Sequence, residues 1–260
     1  MVDMTVGAGG HAQALLVSGV THVVGVDRDP QAIELARRRL EGFGERFTPI
    51  QARFSSIDSE ALGGPVDGIL YDLGVSSMQL DTPERGFGYR VDGPLDMRMG
   101  DDGPSASDLV NGLGEKELAD LIFEFGQEGR SRRIAHAIVQ RRPITTTDQL
   151  AGVVAGALGR RPGGPHPARR TFQALRIAVN RELEELAASL PQAADLLVPG
   201  GRVVVIAYHS LEDRVVKHTL RDDERLRLLT KKPSRPSPAE VARNPRSRSA
   251  LLRAAERQAA

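Results

Sequence analysis

Short apolar runs alternate with amphipathic stretches over residues 1–74, and one more apolar run follows near the end of the chain. The apolar runs predict buried strands. They are Val2–Val6, His22–Asp27, Phe47–Gln51, Val66–Gly74 and Arg202–Ala207. In "DPQAIELARRRL", Asp29 is placed to cap a helix, and Ile33, Ala36 and Leu40 fall on one of its faces. Strands that alternate with helices form parallel sheets, so the pattern predicts an α/β fold with a doubly wound, mostly parallel sheet.

The alternation stops between Ser76 and about Arg170, where helical patterns replace strands. We expect helices in "EKELADLIFEFG", "SRRIAHAIVQR" and "TTTDQLAGVVAGAL", with Thr147 capping the last of them. This predicts a helical domain over 81–170, which would help to recognise RNA, inserted into a core of 1–80 and 171–260. The core would resume with one long amphipathic helix, "TFQALRIAVNRELEELAASL", and close with antiparallel strands in "LRLLT" and "SALLRAAE". The composition of the basic, proline-rich stretch between those strands predicts a loop that becomes ordered when it binds a partner.

Charge is unevenly distributed although the net charge is only +1. Residues 1–129 carry a net charge of −12, whereas 130–181 carry +10 and 231–260 carry +6. Arginine-rich segments beside an acidic half favour a polyanion partner such as nucleic acid, although arginines can also simply solvate helix faces. The absence of cysteine excludes disulfides and thiolate chemistry. With no secretory signal and no apolar run of the ~20 residues that a membrane helix needs, we expect a cytoplasmic protein.

A glycine loop, "GAGGHA", follows the first predicted strand and contains Gly7, Gly9 and Gly10. In such sheets this loop lies over the carboxyl edge, where ligands bind. Asp27 stands 20 residues after Gly7, at the end of the second strand, where an acid commonly holds ribose hydroxyls. The pattern suits a dinucleotide or S-adenosylmethionine, and a tight turn without a ligand is the structural alternative.

Asp72 ends the fourth predicted strand, in "DLGVSSMQLD". A carboxylate there can accept an N–H of an exocyclic base amine, localise its lone pair and offset the positive charge that develops on methyl transfer. This favours S-adenosylmethionine and gives Asp72 a catalytic role. Capping of the next turn is an equally simple interpretation. The chemistry needs no metal site, and none is predicted.

The strings "DGPLDMRM", "TFQALRI" and "HSLEDR" are long and specific. With the stretches described above, they resemble the MraW-type family of rRNA cytosine-N4 methyltransferases, and the resemblance runs from Val2 to about Arg257. It implies a class I, Rossmann-like methyltransferase that transfers a methyl group from S-adenosylmethionine to N4 of a cytidine in the decoding region of 16S rRNA. The partner would be 16S rRNA within the 30S subunit, with naked rRNA and a homo-oligomer left open.

The resemblance also implies which residues bind the cofactor. They are Gly9, Gly10, His11, Asp27, Phe54, Asp72 and Gln79. Phe54 would pack against adenine, unless it is a core residue. Met78 and Arg170 depart from the family's usual Pro and Thr. The family also carries a helical segment before the first strand, which this sequence does not include, so we expect either an upstream start or weaker cofactor binding.

RNA contacts are expected from basic and polar side chains. A polar stripe on the predicted helix after the insertion comprises Arg169, Gln173, Arg176 and Asn180. Further candidates are Arg246, Arg248 and His209, and His209 could instead accept the proton that is lost on methyl transfer. Phe87 and Tyr89 could stack on a splayed base, or lie in the core of the insertion. Asp92, Asp96 and Arg98 could line the site, or form an internal salt-bridged loop. The spacing of Ser210 and Asp213 predicts a capping-box-like start of the helix in "LEDRVVKHTL".

Two other functions fit parts of the sequence. A nicotinamide-dependent oxidoreductase would explain "GAGGHA" but not the arginine-rich segments or "DLGVSS". A non-catalytic RNA-binding or ribosome-assembly protein would explain the arginines and predicts RNA affinity that falls with salt. Binding of S-adenosylmethionine separates the methyltransferase from both alternatives.

Overall fold

The computed structural model describes residues 1–159 and 164–259 of the chain. They form two compact units, one made of Met1–Gly74 with Leu183–Ala260 and the other of Val75–Glu182. We call them the sheet unit and the helical unit. No helix among the described residues is long and apolar enough to cross a membrane.

A single mixed sheet organises the sheet unit. Its strands are β1 (Val2–Asp3), β2 (Val23–Asp27), β3 (Phe47–Gln51), β4 (Val66–Asp72), β5 (Leu197–Ala207), β6 (Leu226–Leu228) and β7 (Leu251–Arg257). Their order is β3-β2-β1-β4-β5-β7-β6. The five strands β3, β2, β1, β4 and β5 are parallel to one another, and β7 runs antiparallel to both β5 and β6. The predicted fold class and the two closing antiparallel strands are therefore confirmed.

The first strand is shorter than the sequence pattern predicted. β1 ends at Asp3, although the amides of Met4 and Val6 still donate to carbonyls of β4 and β2. The chain turns at Met4 and Thr5, where the Asp3 carboxylate accepts the Thr5 N–H.

Helices of the sheet unit enclose two apolar clusters. The helices are α1 (Gly10–Val17), α2 (Pro30–Leu40), α9 (Glu182–Leu196), α10 (Ser210–Asp222) and α11 (Pro238–Arg243). One cluster joins the sheet to α1 and α2, and the other joins it to α9 and α10. Val23 belongs to the first and Val24 to the second, as expected for consecutive residues of a strand that is covered on both faces. Asp29 caps α2 by accepting the Gln31 N–H, as predicted.

The helical unit has its own core. Its helices are α3 (Ser77–Asp81), α4 (Ala106–Gly112), α5 (Glu115–Gly126), α6 (Ser131–Val139), α7 (Thr147–Leu158) and α8 (Arg169–Asn180). The buried side chains include Leu118, Ile122, Ile134, Phe172 and Leu175.

The prediction of one long helix after the insertion is wrong, because two helices occupy this stretch. Arg181 adopts a left-handed conformation, φ 52°, and separates α8 from α9. α8 then packs in the helical unit, so the units divide near 75 and 182 rather than at 81 and 170. Gly126 of α5 allows this packing, because a Cβ there would lie 2.7 Å from the Arg170 carbonyl oxygen.

Two further local predictions need correction. The cap of α7 is Thr146, whose hydroxyl accepts the Gln149 N–H, whereas Thr147 is buried and accepts the Gly93 N–H. The basic stretch between β6 and β7 is not a plain loop. It contains α11, capped by Ser237, followed by a 3-10 turn over Pro245–Ser249.

Candidate active site

The candidate site lies at the carboxyl edge of the parallel strands in the sheet unit. β1 pairs with both β2 and β4, and β4 pairs with β5, so the carboxyl ends of these four strands meet at one edge. The strand order reverses direction at β1, and open α/β sheets bind ligands in the crevice at such a point.

The glycine loop brings backbone N–H groups to this edge. Gly7 and Gly9 have φ of 51° and 81°, and Gly9 is the N-cap of α1. A Cβ on Gly9 would lie 3.2 Å from Leu40 Cδ1 and 3.3 Å from Ala36 Cα of α2. Glycine is therefore required both by the backbone conformation and by the close approach to α2. The first turn of α1, which starts at Gly10, has no side-chain cap and can offer N–H groups to a ligand.

Asp27 is hydrogen-bonded to the glycine loop. Its Oδ2 accepts the Gly7 N–H and its Oδ1 accepts the Asp29 N–H, both at 2.9 Å. Burial raises the pKa of Asp27 to about 6. Each carboxylate oxygen retains lone-pair capacity, so Asp27 can still accept hydroxyl donors, as expected of a ribose-binding acid.

Asp72 joins three segments of the site. Its backbone N–H donates to Thr5 Oγ1 over 2.7 Å. Its Oδ1 accepts the Tyr208 hydroxyl at 2.8 Å, and its Oδ2 lies 3.2 Å from His11 Nε2. The hydrogen bond to Asp72 raises the pKa of His11, and burial together with the Asp72 charge raises the pKa of Tyr208.

A third acid, Asp3, is fully buried at the end of β1. Its Oδ1 accepts the Thr5 N–H, and its Oδ2 has no hydrogen-bond partner among the described residues. Burial raises the pKa of Asp3 to about 7. Asp3 interacts electrostatically with Asp27, Asp72 and His11, so three acidic side chains share this edge of the sheet and the charge of each affects the others. Such a site suits a ligand that has positive charge and hydroxyl donors.

Phe54 lies in the turn after β3. Its ring is partly buried and meets Tyr71 edge to face, with 5.7 Å between ring centroids, and its carbonyl accepts the Ser189 hydroxyl. Packing against adenine remains a prediction. Gln79 belongs to the helical unit and is buried there. Its side chain accepts the Ser76 N–H in the capping box of α3, so its cofactor contact also remains a prediction.

The predicted polar stripe on α8 is not a surface stripe. Asn180 is 1% exposed, donates to the Met97 carbonyl and accepts the Met99 N–H. Arg176 forms a two-bond ion pair with Glu182, at 2.7 and 2.8 Å. The predicted RNA contact of Asn180 is therefore wrong, because its side-chain polar atoms are hydrogen-bonded to the loop at Met97 and Met99 inside the unit. Arg169 is exposed.

The cap of α10 is His209 rather than Ser210. The Glu212 N–H donates to His209 Nδ1, and the Glu212 carboxylate accepts the N–H groups of Tyr208 and His209. This reciprocal arrangement leaves the His209 side chain only 10% exposed and corrects the prediction for Ser210. Asp213 instead pairs with Arg253.

Arg246 and Arg248 are exposed in the 3-10 turn before β7. Because Leu251, the first residue of β7, pairs with Ala207 at the end of β5, this turn lies at the same edge of the sheet as Tyr208.

Phe87 and Tyr89 belong to the helical unit. Phe87 is buried in its core, which contradicts a stacking role for that ring. Tyr89 stacks on His166 at 4.7 Å between ring centroids. Asp96 pairs with Arg98 within the loop, and Asp92 accepts the Asp148 N–H at the start of α7. These contacts match the internal-loop interpretation.

Thr5, Asp3 and Tyr208 were missed from the sequence. Tyr208 follows a predicted strand directly, and its position at a carboxyl edge was a usable signal. Asp3 lies within an apolar run, where a lone acid indicates a special environment.

The glycine loop, Asp27 and Asp72 on a doubly wound sheet define a Rossmann-like enzyme that binds a nucleoside-containing cofactor. A model of the MraW methylase family matches residues 1–258, and the chain therefore belongs to that family, as its sequence resemblance had predicted. The family consists of S-adenosylmethionine-dependent rRNA methyltransferases, so the predicted cofactor is confirmed at this level and the oxidoreductase alternative is set aside.

Curated relatives are similar over nearly the whole chain. A ribosomal RNA small subunit methyltransferase H from Cyanothece sp. is 52% identical over 258 residues, which are 98% of this chain and 87% of that protein. The protein of that name from Azorhizobium caulinodans is 50% identical over 279 residues, covering 98% and 81%.

Solved structures resemble this one only in outline. An rRNA methylase from Streptococcus thermophilus is 13% identical with a TM-score of 0.47, covering 99% of this chain and 86% of that one. SMU.1697c from Streptococcus mutans, solved with SAH, is 12% identical with a TM-score of 0.48, covering 98% and 86%.

Proposed function

We propose that this chain methylates N4 of a cytidine in the decoding region of 16S rRNA. Membership of the family supports rRNA methylation. The observation that carries the N4 assignment is the placement of Asp72, a carboxylate at the sheet edge beside the glycine loop, with one oxygen facing the half-exposed His11.

The residues at this edge fit S-adenosylmethionine. When bound, this cofactor supplies an electrophilic methyl group on a positively charged sulfur. The carboxylates of Asp27 and Asp72 at this edge favour that cation. Asp27 would accept the ribose hydroxyls, while Gly7, Gly9, Gly10 and His11 would line the loop beside them. Phe54 completes the proposed cofactor set at this edge, and the contact of Gln79 stays a prediction of the sequence resemblance.

Asp72 acts on the acceptor nitrogen. The lone pair of an exocyclic base amine is delocalised into the ring, so the amine is a weak nucleophile. An N–H of the amine donates to Asp72 Oδ2 in place of His11, which localises the lone pair and stabilises the positive charge that develops. As the bond from N4 to the methyl carbon forms and the bond from sulfur to carbon breaks, N4 loses one proton, and Asp72 is the charged acceptor that receives it.

Arg246 and Arg248 contact RNA phosphates in this proposal. Both are exposed and lie at the same edge of the sheet as Asp72 and Tyr208. Arginine is well suited to phosphate because of its planar fork of donors. Arg169 is a further exposed candidate in the helical unit. The capping of α10 accounts for His209 without RNA.

Methylation of 30S subunits that lack the modification tests the proposal. Asp72→Asn should reduce methyl transfer by at least about a hundredfold, the range for removal of a transition-state contact. Asp67→Asn, at an exposed position of the same strand, is the matched control and should retain activity. Nucleoside mass spectrometry should identify N4-methylcytidine. Full activity of Asp72→Asn, or methylation at another atom, would refute the assignment.

A further inference from the structure

Tyr208 and Asp72 are neighbours across two parallel strands. Asp72 pairs with Ile206, and the Leu73 N–H donates to the Ile206 carbonyl, so the chain leaves β4 and β5 side by side. Tyr208 is the second residue after Ile206, and its hydroxyl reaches Asp72 Oδ1 at 2.8 Å. The contact joins residues 136 positions apart in the sequence.

The backbone of Tyr208 is itself held. Its N–H donates to Glu212 Oε2 at 2.8 Å, and Glu212 is 2% exposed within the reciprocal cap of α10. The phenol is therefore attached to a fixed point at the start of a helix. A hydrogen-bond donor placed in this way is preorganised and needs no rearrangement during a reaction.

The two oxygens of Asp72 have different partners. Oδ1 accepts a hydrogen bond of 2.8 Å from a phenol that stays protonated, because burial and the nearby carboxylate raise the pKa of Tyr208. Oδ2 faces His11, whose side chain is 49% exposed, at the longer distance of 3.2 Å. The partner of Oδ2 is thus the easier one to exchange for a substrate.

We infer that Tyr208 is a positioning residue, which fixes Oδ1 of Asp72 so that Oδ2 is presented to the substrate amine. The inference rests on the proposed function of Asp72. Tyr208 needs no contact with the substrate or cofactor for this role. The hydrogen bond restricts rotation of the Asp72 carboxylate before the reaction, so less rotational entropy is lost on reaching the transition state.

Tyr208→Phe removes the hydroxyl and keeps the ring. It should lower kcat by about tenfold, the loss expected for one hydrogen bond to a charged group. The KM for 30S subunits and the Kd for S-adenosylmethionine should stay within about twofold of wild type, since the role is confined to the reaction step. Tyr71→Phe is the matched control. It removes the buried hydrogen bond between Tyr71 and Ser189, and should lower stability without lowering kcat.

A second measurement does not depend on activity. With the tyrosine ring carbons labelled with 13C, NMR should show Tyr208 ionising above the ordinary value of 10, and Asp72→Asn should lower that pKa. Tyr208 ionising near 10 in both proteins, or an unchanged kcat in Tyr208→Phe, would overturn the positioning role and leave the proposed function intact. Full activity of Asp72→Asn would overturn the proposed function and the inference together.

Discussion

Asp27 accepts the backbone N–H of Gly7 over 2.9 Å, so the acid after β2 and the glycine loop after β1 form one hydrogen-bonded unit. The two features are 20 residues apart and each is recognisable alone in the sequence. Their contact means that the loop conformation and the ionisation of Asp27 influence each other. Changes at either residue should therefore affect cofactor binding.

Gly9→Ala should weaken both folding and cofactor binding. The new Cβ would be strained at φ 81° and would press on Ala36 and Leu40. Gly19→Ala is a matched control, because Gly19 has φ 99° but open space around a Cβ. Backbone strain alone should cost Gly19→Ala about 1–2 kcal/mol. Gly9→Ala should cost more in urea denaturation, and calorimetry should detect no S-adenosylmethionine binding. Equal losses of stability in the two variants would contradict the close packing of the loop on α2.

Asp27 should make folding stability depend on pH. Its pKa in the folded protein, about 6, is above the ordinary value of 3.8, so the folded state binds the proton more tightly than the unfolded state. Stability from this group is present below about pH 4 and is lost as pH rises to about 6, with a limit of about 3 kcal/mol. Subtracting the denaturation profile of Asp27→Asn from that of the wild type, between pH 4 and 7, isolates the effect. A flat difference would contradict the raised pKa.

The sequence predicted the sheet and the loop because their signals are local. Apolar runs of strand length, glycines and an acid at a strand end need no knowledge of distant residues. The predicted caps Thr147 and Ser210 were each wrong by one position, because the side chains of the preceding residues, Thr146 and His209, can also accept the N–H groups of a helix N-terminus. The break at Arg181 was not visible, since a non-glycine residue in a left-handed conformation leaves no composition signal.

The pairing of Tyr208 with Asp72 depends on topology. The sequence places Tyr208 at the carboxyl end of a predicted strand, but the pattern alone does not pair that strand with β4, so the hydroxyl donor of Asp72 was not identified. The burial of Asn180 was missed for a related reason. Its helical spacing from Arg169 and Arg176 suggested one exposed face, yet the loop at Met97 and Met99 covers that position.

Asn180→Ala should destabilise the protein rather than weaken RNA binding selectively. It removes the bonds to the Met97 carbonyl and the Met99 N–H, and leaves buried backbone groups without partners. The expected cost is about 1–3 kcal/mol. Thermal denaturation measures it, and the salt dependence of rRNA binding should stay unchanged. Unchanged stability with weaker RNA binding would restore the original surface interpretation.

Replacing both Arg246 and Arg248 by Gln should weaken binding of 16S rRNA and lower its salt dependence. Each arginine that neutralises a phosphate of single-stranded RNA contributes about 0.7 to the slope of log K against log salt, so the slope should fall by about 1.4. S-adenosylmethionine binding should be unaffected, because neither arginine belongs to the proposed cofactor set. Filter binding across a range of salt concentrations provides both the affinity and the slope.

Replacement of the exposed Arg37 and Arg38 of α2 by Gln is the matched control for lost positive charge, and should leave the slope nearly unchanged. Equal changes in the two double variants would mean that net charge alone, rather than the turn beside β7, governs RNA binding.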